Sequence, residues 1–218
     1  MTPGGLAAEP LSTFVVLAVL SLVPFVFMTA TSFAKISIVF SILRSALGLS
    51  NVPSGAIITA LSLMLSLYVM TPVGEAMWAL AAPRFTSGAT DASLVEVATQ
   101  AKAPLIEFLH RNARPREREL FVRLAREARA AQPDSVTERD FGVVLPAFLI
   151  TELTEAFQIG FLVFLPFLIL DLVIANVLVA LGMTMLSPTQ VSVPFKLLLF
   201  VAVDGWYVLS KALIAGYR

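Results

Sequence analysis

The chain is a succession of long uncharged runs broken by one strongly charged stretch. Leu11 to Ala34 holds 24 residues without an ionisable group, enough as a helix to span a hydrocarbon core of about 30 Å. Pro24 lies inside this run and predicts a kink, because proline removes one intrahelical hydrogen bond. Lys35 follows, then a further apolar stretch, then Arg44. Two basic residues with no acid nearby point to a cytoplasmic flank under the positive-inside rule. Gly48 and Pro53 mark a turn, and Ala56 to Gly74 returns as a second apolar segment with Thr71-Pro72 near its exit. The first half reads as a helical hairpin.

From Arg84 to Asp140 the pattern changes. These 57 residues carry 19 of the 30 charged side chains, ten basic and nine acidic. Leu105, Phe108 and Leu109 fall on one helical face, and Leu120, Phe121, Leu124 and Ala128 on another, with Pro115 between them. Two short amphipathic helices are expected, with Glu119 and Arg123 supporting one another at i, i+4. Arg111, Arg114, Arg116 and Arg118 could address anionic lipid or nucleic acid. Glu117, Glu119 and Glu127 are interleaved with them, so the face reads as self-compensated and no nucleic-acid partner is expected.

Hydrophobicity resumes at Phe141, now with charges set inside it: Glu152, Glu155, Asp171, Lys196, Asp204 and Lys211. A charge at the bilayer centre costs roughly 2.5–3.5 kcal/mol on an insertion scale. Such residues must pair, be buried in protein or line a wet cavity. Pro146, Pro166, Pro188 and Pro194 imply bent or broken helices. Ala156 with Gly160, and Ala212 with Gly216, form small faces that permit close helix contact. The chain thus divides into a hydrophobic hairpin (1–83), a charged helical insertion (84–140) and bent C-terminal hairpins (141–218). The fold class is all-α and membrane-embedded, with hairpins built to pack against copies or partners.

The stretch from Asp171 to Lys196 organises this half. Between its charged ends the apolar run breaks into Gly182, Met183, Thr184, Met185, Leu186, Ser187 and Pro188. Gly tolerates positive φ and Pro cannot continue a helix from the preceding turn, so a hairpin tip is expected here. The arms would bring Asp171 and Lys196 within about a helical turn of each other in height. Met183 and Met185 either fill gaps in a core or form a deformable apolar ring around cargo.

Composition agrees with a membrane protein: 58% hydrophobic, 14% charged, mean hydropathy +0.88, against about 25% charged in soluble domains. Net charge is zero, there is no Cys, and the lone His110 supports no multi-histidine metal site. Phosphate-loop, nucleophile-elbow, zinc-protease and dinucleotide motifs are missing, so neither a cofactor nor an enzymatic reaction is expected. Glu152 and Glu155, three apart on one face, could handle protons or cations, or could face partner Lys or Arg groups. The N-terminus lacks a basic segment before its apolar run, so a cleaved signal is not expected.

These residues carry a specific resemblance. Phe33-Ala-Lys35, Ile42-Leu43-Arg44-Ser45-Ala46-Leu47-Gly48 and Val69-Met70-Thr71-Pro72-Val73 resemble the first half of the FliP/SctR family. AFQIGF (Ala156–Phe161), PFLILDL (Pro166–Leu172), ALGM (Ala180–Met183), PFKLLLF (Pro194–Phe200) and Asp204-Gly205-Trp206 resemble its second half more closely. The resemblance implies a pore-forming subunit of a type III secretion export apparatus in the bacterial inner membrane. It implies a pentamer joined to SctS-like and SctT-like subunits, in a ring-like or helical assembly passing unfolded proteins. It further implies that Met183, Thr184 and Met185 form a gasket, with Thr184 where relatives often have Met, and that the insertion lies on the periplasmic side. Lys35, Arg44, Glu152, Glu155, Asp171, Lys196 and Asp204 are expected as buried assembly charges. The N-terminus leans towards the virulence branch. A reading from another class is a small-solute or ion transporter coupling through Glu152, Glu155 and Asp171.

Overall fold

The computed structural model describes residues 8–49, 52–85, 100–129 and 135–217. All regular structure among them is helical: α1 (Ala8–Ala30), α2 (Phe33–Ala46), α3 (Gly55–Phe85), α4 (Ala103–Asn112), α5 (Pro115–Ala128), α6 (Phe141–Ala180), α7 (Pro188–Ala202) and α8 (Gly205–Ala215). Two of these, α3 over Gly55–Ala82 and α6, are long and apolar enough to cross a membrane. Two further stretches pass that test as bent pairs: Ser21–Ala30 of α1 with α2, and α7 with α8.

The break in the first run lies at Thr31–Ser32, while Pro24 is carried inside α1. The part of α1 from Ser21 and the whole of α2 meet at 71°. Side-chain hydroxyls make the corner tolerable. Thr31 Oγ1 donates to the Phe27 carbonyl and accepts from the Phe33 N–H. Ser66 on α3 donates to Thr31, and Ser32 donates back to Ser66, at 3.1 and 3.2 Å. Backbone groups freed from a helix at membrane depth need such partners. α3, for its part, runs straight through Thr71-Pro72, so that dipeptide marks no exit.

α2 is the central element. Ile36, Val39, Phe40, Leu43 and Ala46 are buried along it at i, i+3, i+4 spacing, the stripe of a helix packed on its neighbours. They meet Ile58 of α3, Ala156 and Phe167 of α6, Phe200 of α7 and Leu209 and Leu213 of α8. α6 approaches closely at Gly160, where a Cβ would collide with the Ile42 side chain. A second cluster joins Ala30 to Leu109 and Ala113 of the insertion and to Val144, Ala147 and Phe148 of α6.

The insertion forms the two helices its pattern predicts, with Pro115 at the first turn of α5. Its buried face differs from the expected one. Val122, with Phe121 and Ala125 beside it, packs on Val136 and Val143, while Leu120, Leu124 and Ala128 are exposed. α5 is rotated because its docking is set by α6 and by polar contacts of Arg114 and Arg118, which the apolar pattern of α5 alone does not register.

Candidate functional site

Two charge clusters and one loop hold the residues singled out by the sequence. The first cluster forms where α2, α5 and α6 meet. Lys35, in the first turn of α2, points at Glu152 and Glu155, one turn apart on α6. Its Nζ lies 2.8 Å from Glu152 Oε1 and 2.8 Å from Glu155 Oε2. Lys35 and Glu152 are buried and Glu155 is half-buried. Arg114 closes the exposed side, with Nε 3.2 Å from Glu155 Oε1 and a second hydrogen bond to Gln158. The Arg114 backbone N–H also donates to Thr151 Oγ1 on α6, at 3.0 Å. This ties the α4–α5 corner to the helix that carries the glutamates.

Tyr217, from the far end of the chain, completes this cluster. Its hydroxyl donates to Glu152 Oε2, Lys35 Nζ sits 4.2 Å from its ring centroid, and the ring stacks on Phe108 at 6.0 Å. Burial, with the Glu152 carboxylate beside it, pushes the Tyr217 hydroxyl above its ordinary range, so it stays protonated and donates. Lys35 is therefore committed inside the protein and supplies no exposed basic flank, contrary to the orientation reading. Arg44 is half-buried and has no ion-pair partner among the described residues.

The second cluster locks the C-terminal hairpin. Asp171 Oδ2 on α6 lies 2.7 Å from Lys196 Nζ on α7. Ser192, one turn before Lys196, donates to the other carboxylate oxygen. Lys196 also donates to the Ala46 carbonyl at 3.0 Å. A carbonyl in the last turn of α2 has no intrahelical partner, and a lysine there complements the negative helix end. One ammonium thus joins α2, α6 and α7. Asp204, expected as a buried charge, is exposed in the single chain, because it sits at the outer corner of the α7–α8 bend.

Beyond this lock the hairpin turns. Gly182 has φ +73°, and nothing lies near the position of a missing Cβ. The Met183 N–H bonds the Leu178 carbonyl and the Gly182 N–H bonds that of Val179, the double closure of a Schellman helix end. Ser187 and Pro188 then start α7. Met183, Thr184, Met185 and Leu186 are all exposed, Met185 at 97%. Within the chain none of them packs a core.

Among the described residues no group of three His, Asp or Glu side chains could hold a metal ion. Sequence reasoning missed Tyr217, Ser192 and the Thr31–Ser32–Ser66 hydroxyls, and gave Arg114 a different role. Tyr217, Arg114 and Ser66 act through contacts far away in the chain that no local spacing reveals, whereas Ser192 faces Asp171 across the hairpin one turn before Lys196 and was open to the same counting.

Comparison with known proteins decides the family. The model described as the FliP family matches residues 16–213. The chain belongs to the FliP family. The resemblance to FliP/SctR read from AFQIGF, PFLILDL and PFKLLLF is thereby established. Among relatives, the chain is 42% identical to the hypersensitivity response secretion protein HrcR of Ralstonia nicotianae, over 95% of this chain and 97% of that protein. It is 40% identical to the Yop proteins translocation protein R of Yersinia pestis, over 96% and 97%. It is 44% identical to the flagellar biosynthetic protein FliP of Pectobacterium carotovorum, over 94% and 78%. Secretion and flagellar members of the FliP family are thus about equally similar to it.

Proposed function

We propose that the chain is a core pore-forming subunit of a type III secretion export apparatus. In this reading it sits in the bacterial inner membrane and passes unfolded proteins, together with copies of itself and SctS-like and SctT-like subunits. The names of its relatives place them in secretion, translocation and flagellar biosynthesis. A pentamer and the virulence-type system are the forms the family resemblance favours. The length of α6 supports a complex that projects beyond the bilayer. Its 40 residues extend about 60 Å at 1.5 Å per residue, roughly twice the hydrocarbon core. Tilt within the usual 0–40° range does not absorb that difference.

The observation that carries the pore reading is the exposed tip on a locked hairpin. Met183, Thr184 and Met185 stand free of any core, on arms fixed by Asp171 and Lys196. Copies arranged about an axis would project flexible apolar side chains into a constriction that dewets yet deforms around a passing chain. Replacing Met183 and Met185 by Ala should leave complex yield nearly unchanged and raise ion conductance of the inner membrane. Thr184→Met should lower it. Reduced assembly without a leak would overturn the gasket. The transporter reading loses support, because Glu152, Glu155 and Asp171 are all taken up by Lys35, Arg114 and Lys196.

A further inference from the structure

The bend between α7 and α8 carries a carboxylate, and α8 an ammonium, that have no ion-pair partner among the described residues, as Arg44 of α2 also has none. Asp204 has φ 51° and ψ 50° and is the one described non-glycine residue with positive φ. Such a conformation persists only where neighbours over-determine it, and here they do. A Cβ at Gly205 would strike the Phe200 ring, and Trp206 packs edge-on against that ring and tilted against Phe40. α8 consequently leaves α7 at 60°. The Asp204 side chain makes no capping hydrogen bond to α8 and faces outward.

Lys211 comes seven residues later, in the second turn of α8. Its Nζ stands 5.7 Å from the Tyr207 ring centroid. It borders an open groove of about 670 Å³ between α3 and α8, lined also by Tyr68, Trp206, Tyr207 and Ser210, with no carboxylate in its lining. Lys35, Glu152, Glu155, Asp171 and Lys196 all have ion-pair partners inside the chain. Asp204 and Lys211 have none among the described residues, and two turns of α8 keep them apart.

We propose that in the assembled complex the groove of one copy receives Asp204 of the next copy. The carboxylate pairs with Lys211, and the Tyr68 and Tyr207 hydroxyls and the Trp206 N–H are further donors. A second copy fits better than a lipid headgroup because Tyr68 lies midway along the apolar Gly55–Ala82 stretch, away from the depth of phosphates. A carboxylate can reach that depth when a protein helix carries it there. The contact is heterologous, so it repeats around an axis. With α8 helices parallel it offsets neighbours by one to two turns, which suits copies that step along the axis. The inference rests on the reading that copies of the chain assemble.

The chain is free of cysteine, which makes the test clean. Asp204→Cys and Lys211→Cys are placed in two differently tagged copies expressed together, and membranes are treated with a thiol cross-linker of about 8 Å span. The span exceeds a disulfide because an Asp–Lys pair holds its Cα atoms farther apart than a disulfide permits. A cross-linked dimer carrying both tags is expected from the mixture and from neither copy alone, and a Glu75→Cys control in place of Asp204→Cys should give none. Asp204→Asn, which still tolerates positive φ, and Lys211→Met should each lower complex yield, and together no more than the worse one. An oligomer of full native mass without the cross-link overturns the pair and leaves the assembly reading standing. A monomeric native mass overturns both. Phospholipid that copurifies with the uncross-linked oligomer and is lost on Lys211→Met assigns the groove to lipid, and also overturns the pair.

Discussion

Lys35 shows how a charge is made tolerable inside an apolar helical protein. Its ammonium has two carboxylates at 2.8 Å and an aromatic face at 4.2 Å, so the cost of removing it from water is offset locally. Removing one partner of a buried pair leaves the other uncompensated, at about 3–5 kcal/mol. Lys35→Met should lower thermal stability by that order, and adding Glu152→Gln should recover part of it by discharging the stranded group. No recovery in the double variant, measured by melting in detergent, would show that the pair matters only as packing. Gly182 makes a smaller and separable demand. Its +73° φ with open space around it means that Gly182→Ala meets conformational strain alone, about 1–2 kcal/mol. Gly182→Asn should cost less than Ala in the same melting experiment, and equal losses would place the constraint elsewhere.

At the scale of elements, α2 against α6 is the contact that positions both charge clusters. In lipid, apolar burial gives little drive for helices to associate, so close packing and polar contacts decide. Gly160 provides the close approach, with Ile42 filling the space that a side chain would occupy. Gly160→Leu should therefore separate the helices, at about 1–3 kcal/mol for an overpacked site. Ile42→Ala in the same chain should restore part of the loss, because it vacates the volume the leucine takes. The readout is complex yield and melting temperature; a double variant as poor as the single would put the packing constraint elsewhere on α6. The same element sets the hairpin tip, since α6 runs unbroken from the Glu152 cluster to Ala180, just before the Gly182 turn.

For the whole molecule the notable property is what it leaves uncovered. Met64, Tyr68 and Trp78 on α3, Phe161 and Leu162 on α6, and Leu198 and Val201 on α7 are all exposed. Lipid can cover some of this surface, and in the reading that α6 projects beyond the bilayer the remainder needs protein against it. Expressed alone, the chain should run as a homo-oligomer in mild detergent, read by native mass. A monodisperse monomer with full helicity would contradict that expectation.

The amino-acid pattern by itself determined the helical class, the two amphipathic helices of the insertion and the turn at Gly182 to Pro188. These depend on local quantities: run length, 3.6-residue spacing, and the backbone limits of Gly and Pro. Asp171 and Lys196 were also within reach, because a hairpin relates its two arms by simple counting. Tertiary structure alone decided the rest. The first run breaks at Thr31–Ser32, where the hydroxyls of both residues meet that of Ser66 on α3. Lys35 became an internal ion and not a basic flank because α6 brings Glu152 and Glu155 against it. Tyr217 joined the same cluster from more than 180 positions away, and Asp204 was turned outward by the packing of Phe200 against Gly205. Each of these depends on which helices touch, a relation between distant segments that no local spacing contains.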